Sequence, residues 1–204
     1  MILYGRDLSP FARRIAIWCA LQGRDLERQA ILVTGDDFER LKGMNPVGRV
    51  PVLELDDAAR LVETYAMGDW LDETSPNGWR GLPASGTARR DAYQRLAIAS
   101  GTAEKGVALV YERNRRPEEY HWKEWQQRLV GQIQGGLAAL DAAVPEQGWS
   151  GGDTPDAGDI AAVIAYQFVE VTNPWVLEPG YPRLKALVDR AMELPAFAET
   201  KPSM

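Results

Sequence analysis

The segment Ser9-Pro10-Phe11-Ala12-Arg13-Arg14-Ile15 holds the residue types best placed to do chemistry. It follows a short strand-like stretch, Met1-Ile2-Leu3-Tyr4, and a turn-like Gly5-Arg6-Asp7. It leads into an apolar run over 15–21 that stops at Gly23. Pro10 suits the first helical position, where its missing N–H would have no intrahelical acceptor anyway. Ser9 then becomes the N-cap, a hydroxyl beside free backbone donors and the positive end of a helix dipole. That setting favours an anion, and a thiolate in particular: thiols with an ordinary pKa of ~8.5 fall by one to several units at helix N-termini. The plainer role for Ser9 is a cap alone, whose loss costs ~1 kcal/mol.

Two further pairs stand out. Val50-Pro51, taken as a dipeptide, is a proline opening a strand. Glu63-Thr64 falls where a strand pattern gives way to a helix pattern, and by itself it reads as a cap preceded by a surface acid. The single cysteine, Cys19, excludes an intrachain disulfide framework and a Cys-x-x-Cys pair. Cys19 lies about three helical turns from Ser9 and reads as a small core residue. One histidine, His121, beside one cysteine makes a Cys/His metal site improbable, so no metal is expected. His121 reads as a surface residue, and Arg13 and Arg14, off the Phe11/Ile15/Trp18 face, as solvated charges.

The elements that must position these residues alternate in the first third of the chain. Strand patterns cover 1–4, 29–33, 50–55 and 60–62, and helical patterns cover 10–21, 36–42 and 65–71, which makes a small α/β unit over residues 1–76. Residues 77–86 are rich in glycine and proline and read as a linker. From 87 to 204 strand signals almost vanish: helical patterns run over 87–113, 118–144, 157–171 and 182–193, predicting an all-helical second domain. Leu129, Ile133, Leu137 and Leu140 share one helical face. Asp156 and Asp159 form a carboxylate version of the capping box.

Composition narrows the function. The chain has 204 residues and a net charge of −6, with no basic block longer than a pair of arginines, which argues against nucleic-acid binding. No apolar run approaches the ~20 residues of a membrane span. The opening residues already read as a strand, so no secretory leader is expected, and a reducing, cytoplasmic setting fits the cysteine count.

Four segments in register resemble the glutathione S-transferase family, bacterial serine type. Ser9-Pro10-Phe11-Ala12-Arg13-Arg14 resembles the start of the family's first helix. Asn45-Pro46-Val47-Gly48-Arg49-Val50-Pro51-Val52-Leu53 resembles Asn-Pro-x-Gly-Lys-Val-Pro-x-Leu, and Glu63-Thr64-Tyr65-Ala66-Met67 resembles Glu-Ser-x-Ala-Ile. Trp149 to Ile160 resembles the C-terminal capping segment. The resemblance implies a thioredoxin-like N-terminal domain, an all-α C-terminal domain, a homodimer, and a cytoplasmic detoxification role: attack of a glutathione thiolate on an apolar electrophile.

Residue by residue, the resemblance implies that the Ser9 hydroxyl stabilises the thiolate, with Tyr4 as the runner-up. It implies a cis Val50–Pro51 bond, with the Val50 backbone open to the extended tripeptide. Thr64 would cap its helix and hold the γ-glutamyl carboxylate, Glu63 would pair with the γ-glutamyl ammonium, and Arg49 would meet the glycyl carboxylate. Val107, Tyr111 and Trp122 are the residues proposed for the electrophile pocket. Two alternatives share the fold: a glutathione-binding protein without turnover, and a structural module.

Overall fold

A computed structural model describes residues 1–202. Their contacts divide into two compact units, 1–82 together with 194–202, and 83–193.

The first unit is built on a four-stranded sheet, β1 (Ile2–Tyr4), β2 (Glu27–Gln29), β3 (Val52–Glu54) and β4 (Arg60–Val62), in the order β2-β1-β3-β4. β1 and β2 run parallel with Ile2 opposite Glu27, which requires a crossover, and helix α1 (Pro10–Leu21) supplies it. β3 is antiparallel to both β1 and β4, with Tyr4 opposite Val52 and Val52 opposite Val62. Tyr4, Ile31, Leu41 and Val52 form one buried cluster, with Leu41 contributed by α2 (Gly35–Met44). α1 packs against α3 (Thr64–Glu73), and its apolar run is fully buried from Ile15 to Cys19.

The second unit is helical: α4 (Gly86–Asn114), α5 (Lys123–Ala143), α6 (Ala157–Thr172) and α7 (Pro182–Ala191). α6 is buried on all sides from Ala157 to Val169, as an all-round apolar helix must be. Leu129, Ile133, Leu137 and Leu140 of α5 are completely buried, so the predicted face is the packed one. The capping box is present: Asp159 N–H donates to Asp156 Oδ1 at 2.9 Å, and Asp156 N–H donates to Asp159 Oδ2 at 3.2 Å. Asp159 Oδ2 also accepts from Ser150 N–H at 2.8 Å. Burial nonetheless holds the Asp159 carboxyl above the usual carboxylate range, reinforced by Asp156.

Several boundaries differ from the pattern-based expectation. The strand predicted over 29–33 lies at Glu27–Gln29, because register against β1 rather than local hydrophobicity decides which residues pair. The strand predicted over 50–55 begins only at Val52, after a proline that has no N–H to give to the ladder. The helix predicted over 118–144 breaks into a 3-10 turn, Glu118–Tyr120, and α5. Glu112 of α4, which is buried and paired with Arg116, accepts from the Trp122 backbone N–H at 3.1 Å, so the chain is extended at 121 and 122.

The tail from Leu194 belongs with the first unit, although its position in the sequence predicts membership of the helical domain. The short helix α8 (Pro195–Ala198) packs on α1, Phe197 is fully buried, and Arg13 of α1 donates to the Phe197 carbonyl at 3.3 Å.

Candidate active site

Ser9 caps α1. Its φ and ψ are −70° and 117°, Pro10 takes the first helical position, and its Oγ accepts from the Ala12 N–H at 3.3 Å. The residue is half-buried. The first turn of α1 contains no acidic residue, so nothing within it offsets the positive end of the dipole. Two cations lie there instead. The expectation that Arg13 and Arg14 are solvated is wrong: each is 1% exposed. Arg13 donates through Nε to Thr200 Oγ1 and through Nη2 to the Phe197 carbonyl, both at 3.3 Å. Burial pulls the Arg13 guanidinium down to about 10. Arg14 donates to Thr64 Oγ1 at 3.2 Å.

Glu63 and Thr64 sit at the junction of β4 and α3. The cap of α3 is Glu63, not Thr64 as the residue types suggest, and Thr64 is the first helical residue. Glu63 has a φ of 72°, a conformation uncommon for a residue with a side chain. That backbone brings its own carboxylate over the helix start. Oε1 accepts from the Thr64 hydroxyl at 3.2 Å and from the Tyr65 N–H at 3.4 Å. Thr64 is buried, whereas Glu63 is exposed.

The Val50–Pro51 peptide bond is cis, as the resemblance implies. The loop before it is held by Asn45, which is buried. Its Nδ2 donates to the Arg49 carbonyl at 2.8 Å, its Oδ1 accepts from Val47 N–H at 3.0 Å, and its carbonyl accepts from Gly48 N–H at 2.8 Å. Gly48 has a φ of +67°, and a Cβ there would stand 2.7 Å from the Phe38 ring, so both the turn and the packing call for glycine.

These pieces converge. The Arg49 guanidinium lies over the Phe11 ring, 5.9 Å from its centroid, and Arg14 lies 5.8 Å from the same centroid. The loop after β1 passes between α1 and Val50: a Cβ on Gly5 would be 2.6 Å from Ala12 Cβ and 3.8 Å from Val50 Cβ. The first unit therefore gathers Ser9, Arg49, Val50, Pro51, Glu63 and Thr64 around the first turn of α1. Phe11 and Arg14, which tie the group together, carry no local signal that marks them.

Tyr4 lies in the core cluster, 6% exposed, with Arg40 over its ring. Cys19 is buried and its thiol is pushed up to about 12 by desolvation. Val107, Tyr111 and Trp122 lie in the second unit: Val107 is half-buried, Tyr111 carries Arg115 on its ring face at 4.2 Å, and Trp122 is 60% exposed. His121 is half-buried, with Nε2 3.0 Å from the Arg116 carbonyl oxygen. Among the described residues no three of His, Cys, Asp or Glu are grouped so as to hold a metal ion, and no helix is long and apolar enough to cross a membrane.

Comparison with known proteins agrees with this arrangement. Residues 3–79 match the glutathione S-transferase N-terminal domain, and residues 123–190 match the C-terminal domain of the same family. A maleylacetoacetate isomerase of Pseudomonas aeruginosa is 29% identical over 98% of this chain and 94% of its own length. A glutathione S-transferase of Methylobacterium radiotolerans, solved in complex with glutathione sulfonate, superposes with a TM-score of 0.91 at 26% identity, covering 100% of this chain and 95% of that one. A glutathione transferase family member of Pseudomonas fluorescens, solved with bound glutathione, gives a TM-score of 0.89 at 25% identity, covering 100% and 99%.

Proposed function

The chain belongs to the glutathione S-transferase family, and on that footing we propose that it binds glutathione at the first turn of α1 and uses its thiolate as a nucleophile. The observation that carries this reading is electrostatic. A half-buried hydroxyl caps a helix whose first turn has no acid and two buried guanidiniums. Ser9 Oγ accepts from Ala12 N–H and keeps its own proton to donate to sulfur. A hydrogen bond to the charged form lowers a thiol's pKa, and the dipole adds to it. The thiolate is the species that attacks.

The remaining residues take the tripeptide's ends. Val50 offers its backbone to the extended chain beside Pro51. The start of α3 and the Thr64 hydroxyl hold the γ-glutamyl carboxylate. Glu63, exposed and carrying a carboxylate, pairs with the ammonium, and Arg49, held beside Phe11, meets the glycyl carboxylate. Val107, Tyr111 and Trp122 are proposed to contact the electrophile. A chain of this family in a reducing compartment, acting as a homodimer, fits the same resemblance.

Two reactions suit this site. In transfer, the thiolate displaces a leaving group from an apolar electrophile and glutathione is consumed. In isomerisation, the thiolate adds to an activated double bond, the bond rotates, and the thiolate leaves again, so glutathione is regenerated. The second reading is favoured by the 29% identity, over nearly the whole chain, to a maleylacetoacetate isomerase.

One experiment tests the site and sorts the reactions. Wild type binds glutathione at millimolar concentration or below and lowers its thiol pKa, read from thiolate absorbance. Ser9→Ala raises that pKa by about one unit while costing only ~1 kcal/mol of stability. Stoichiometric loss of glutathione with a chloronitrobenzene acceptor marks a transferase; turnover of a cis-enone diacid without loss of glutathione marks an isomerase. A tripeptide that fails to bind, or a thiol pKa indifferent to Ser9, refutes the assignment.

A further inference from the structure

The buried guanidinium of Arg14 has a second consequence, which rests on the glutathione reading above. Arginine is a donor only and keeps its charge, whereas a threonine hydroxyl has one proton and two lone pairs. Arg14 Nη1 lies 3.2 Å from Thr64 Oγ1, with both residues buried, so the Thr64 oxygen must accept on that side. Its single proton is thereby turned the other way. It points at a carboxylate: Thr64 Oγ1 donates to Glu63 Oε1 at 3.2 Å. Glu63 Oε1 also takes the Tyr65 N–H, one of the donors at the start of α3. A side chain that only filled space at residue 14 would leave the Thr64 proton free to turn inward.

We propose that Arg14 is a positioning residue for the γ-glutamyl end of the ligand: it sets the Thr64 hydroxyl as a donor to a carboxylate, which in the free protein is that of Glu63. The γ-glutamyl carboxylate takes over the Thr64 O–H and the Tyr65 N–H, and the Glu63 carboxylate moves to the ammonium beside it. Glu63 thus holds the place of the ligand's carboxylate until glutathione arrives. Because Arg14 leaves from the same turn that Ser9 caps, and lies fifty residues from Thr64 in sequence, it also ties the two ends of the tripeptide's path to one helix.

The test is a double-mutant cycle on the full chain, with glutathione and S-methylglutathione as probes and calorimetry as readout. Arg14→Met and Thr64→Val each weaken glutathione about tenfold, the order of one hydrogen bond to a charged group. The double variant is no more than twofold weaker than either single one, because both remove the same donor. S-methylglutathione loses affinity by the same factor, since the effect lies away from sulfur. In turnover, Arg14→Met raises KM for glutathione about tenfold and changes kcat less than twofold, a split that general loss of structure would not produce. Losses that multiply, or Arg14→Met binding within twofold of wild type, overturn the proposal. So does a loss confined to the free thiol. If Arg14→Met does not fold, Lys and Gln at position 14 decide the matter. Arg14→Lys, still donor-only, stays within about threefold of wild type, while Arg14→Gln, whose carbonyl can accept the hydroxyl proton, falls about tenfold; equal affinities overturn it. A wild type that ignores glutathione overturns the binding reading itself, whereas a wild type that binds while the Arg14 variants match it overturns only this step.

Discussion

Asp72 near the end of α3 is the residue whose removal the first unit should feel most. Its carboxylate is 6% exposed and accepts three hydrogen bonds, each at 2.9 Å: from the Trp18 indole and the Gly81 N–H on Oδ1, and from the Leu82 N–H on Oδ2. Asp72→Ala leaves all three donors buried without a partner. Each such orphan costs about 1–3 kcal/mol, which sets a range of about 3–9 kcal/mol. Against this stands the relief of burying a charge. Desolvation raises the Asp72 carboxyl above its ordinary range despite the three donors and Arg80 nearby, so the lower end, about 3 kcal/mol, is expected. With a urea m-value of about 2 kcal/mol/M, that loss moves the unfolding midpoint by about 1.5 M. Asp72→Asn can keep its carbonyl toward Trp18 and Gly81 but turns an NH2 against the Leu82 N–H, so it loses less, about 1–2 kcal/mol. The pH dependence has a definite sign. An acid whose folded pKa lies above its unfolded value contributes stability that is complete below the unfolded pKa and is lost as pH rises through the folded one. Wild type should therefore lose part of its advantage over Asp72→Asn as pH climbs from about 4 toward neutrality. Amide exchange supplies the local check: Gly81 and Leu82 are protected in wild type and exchange freely in Asp72→Ala. An Asp72→Ala midpoint within 0.5 M of wild type, roughly 1 kcal/mol at that slope, would refute the reasoning.

Other expectations follow from burial. Cys19, with its thiol pushed up to about 12 inside α1, should resist an aromatic disulfide reagent at pH 8 in the folded protein and react only once urea unfolds it; rapid native-state labelling would contradict the assignment. Gly68→Ala adds a Cβ 2.9 Å from the Trp18 ring, which is 1% exposed and cannot move aside. Overpacking of about 1–3 kcal/mol should outweigh the helix-propensity gain of about 1 kcal/mol, so thermal unfolding should shift down by a few degrees.

Local pattern carried much of this protein. Ser9-Pro10 announces the mouth of α1, because a cap hydroxyl and a proline at the first position satisfy or remove donors within a single turn. The Asp156/Asp159 box and the Leu129–Ile133–Leu137–Leu140 face are just as local, and both stand where their spacing puts them. What residue types could not announce is which polar groups would be taken out of water. Arg13 and Arg14 look solvated by type, yet their partners come from far along the chain, Thr200 at a separation of 187 residues and Thr64 at 50. Glu63 displaces Thr64 as the cap because its backbone enters a left-handed conformation that no propensity of glutamate favours. The tail from Leu194 joins the first unit for the same kind of reason: a carbonyl at Phe197 is needed where a buried guanidinium stands. Periodicity and capping depend on neighbours within about four residues and are written in the chain; burial and hydrogen-bond partnership depend on neighbours that only folding brings near.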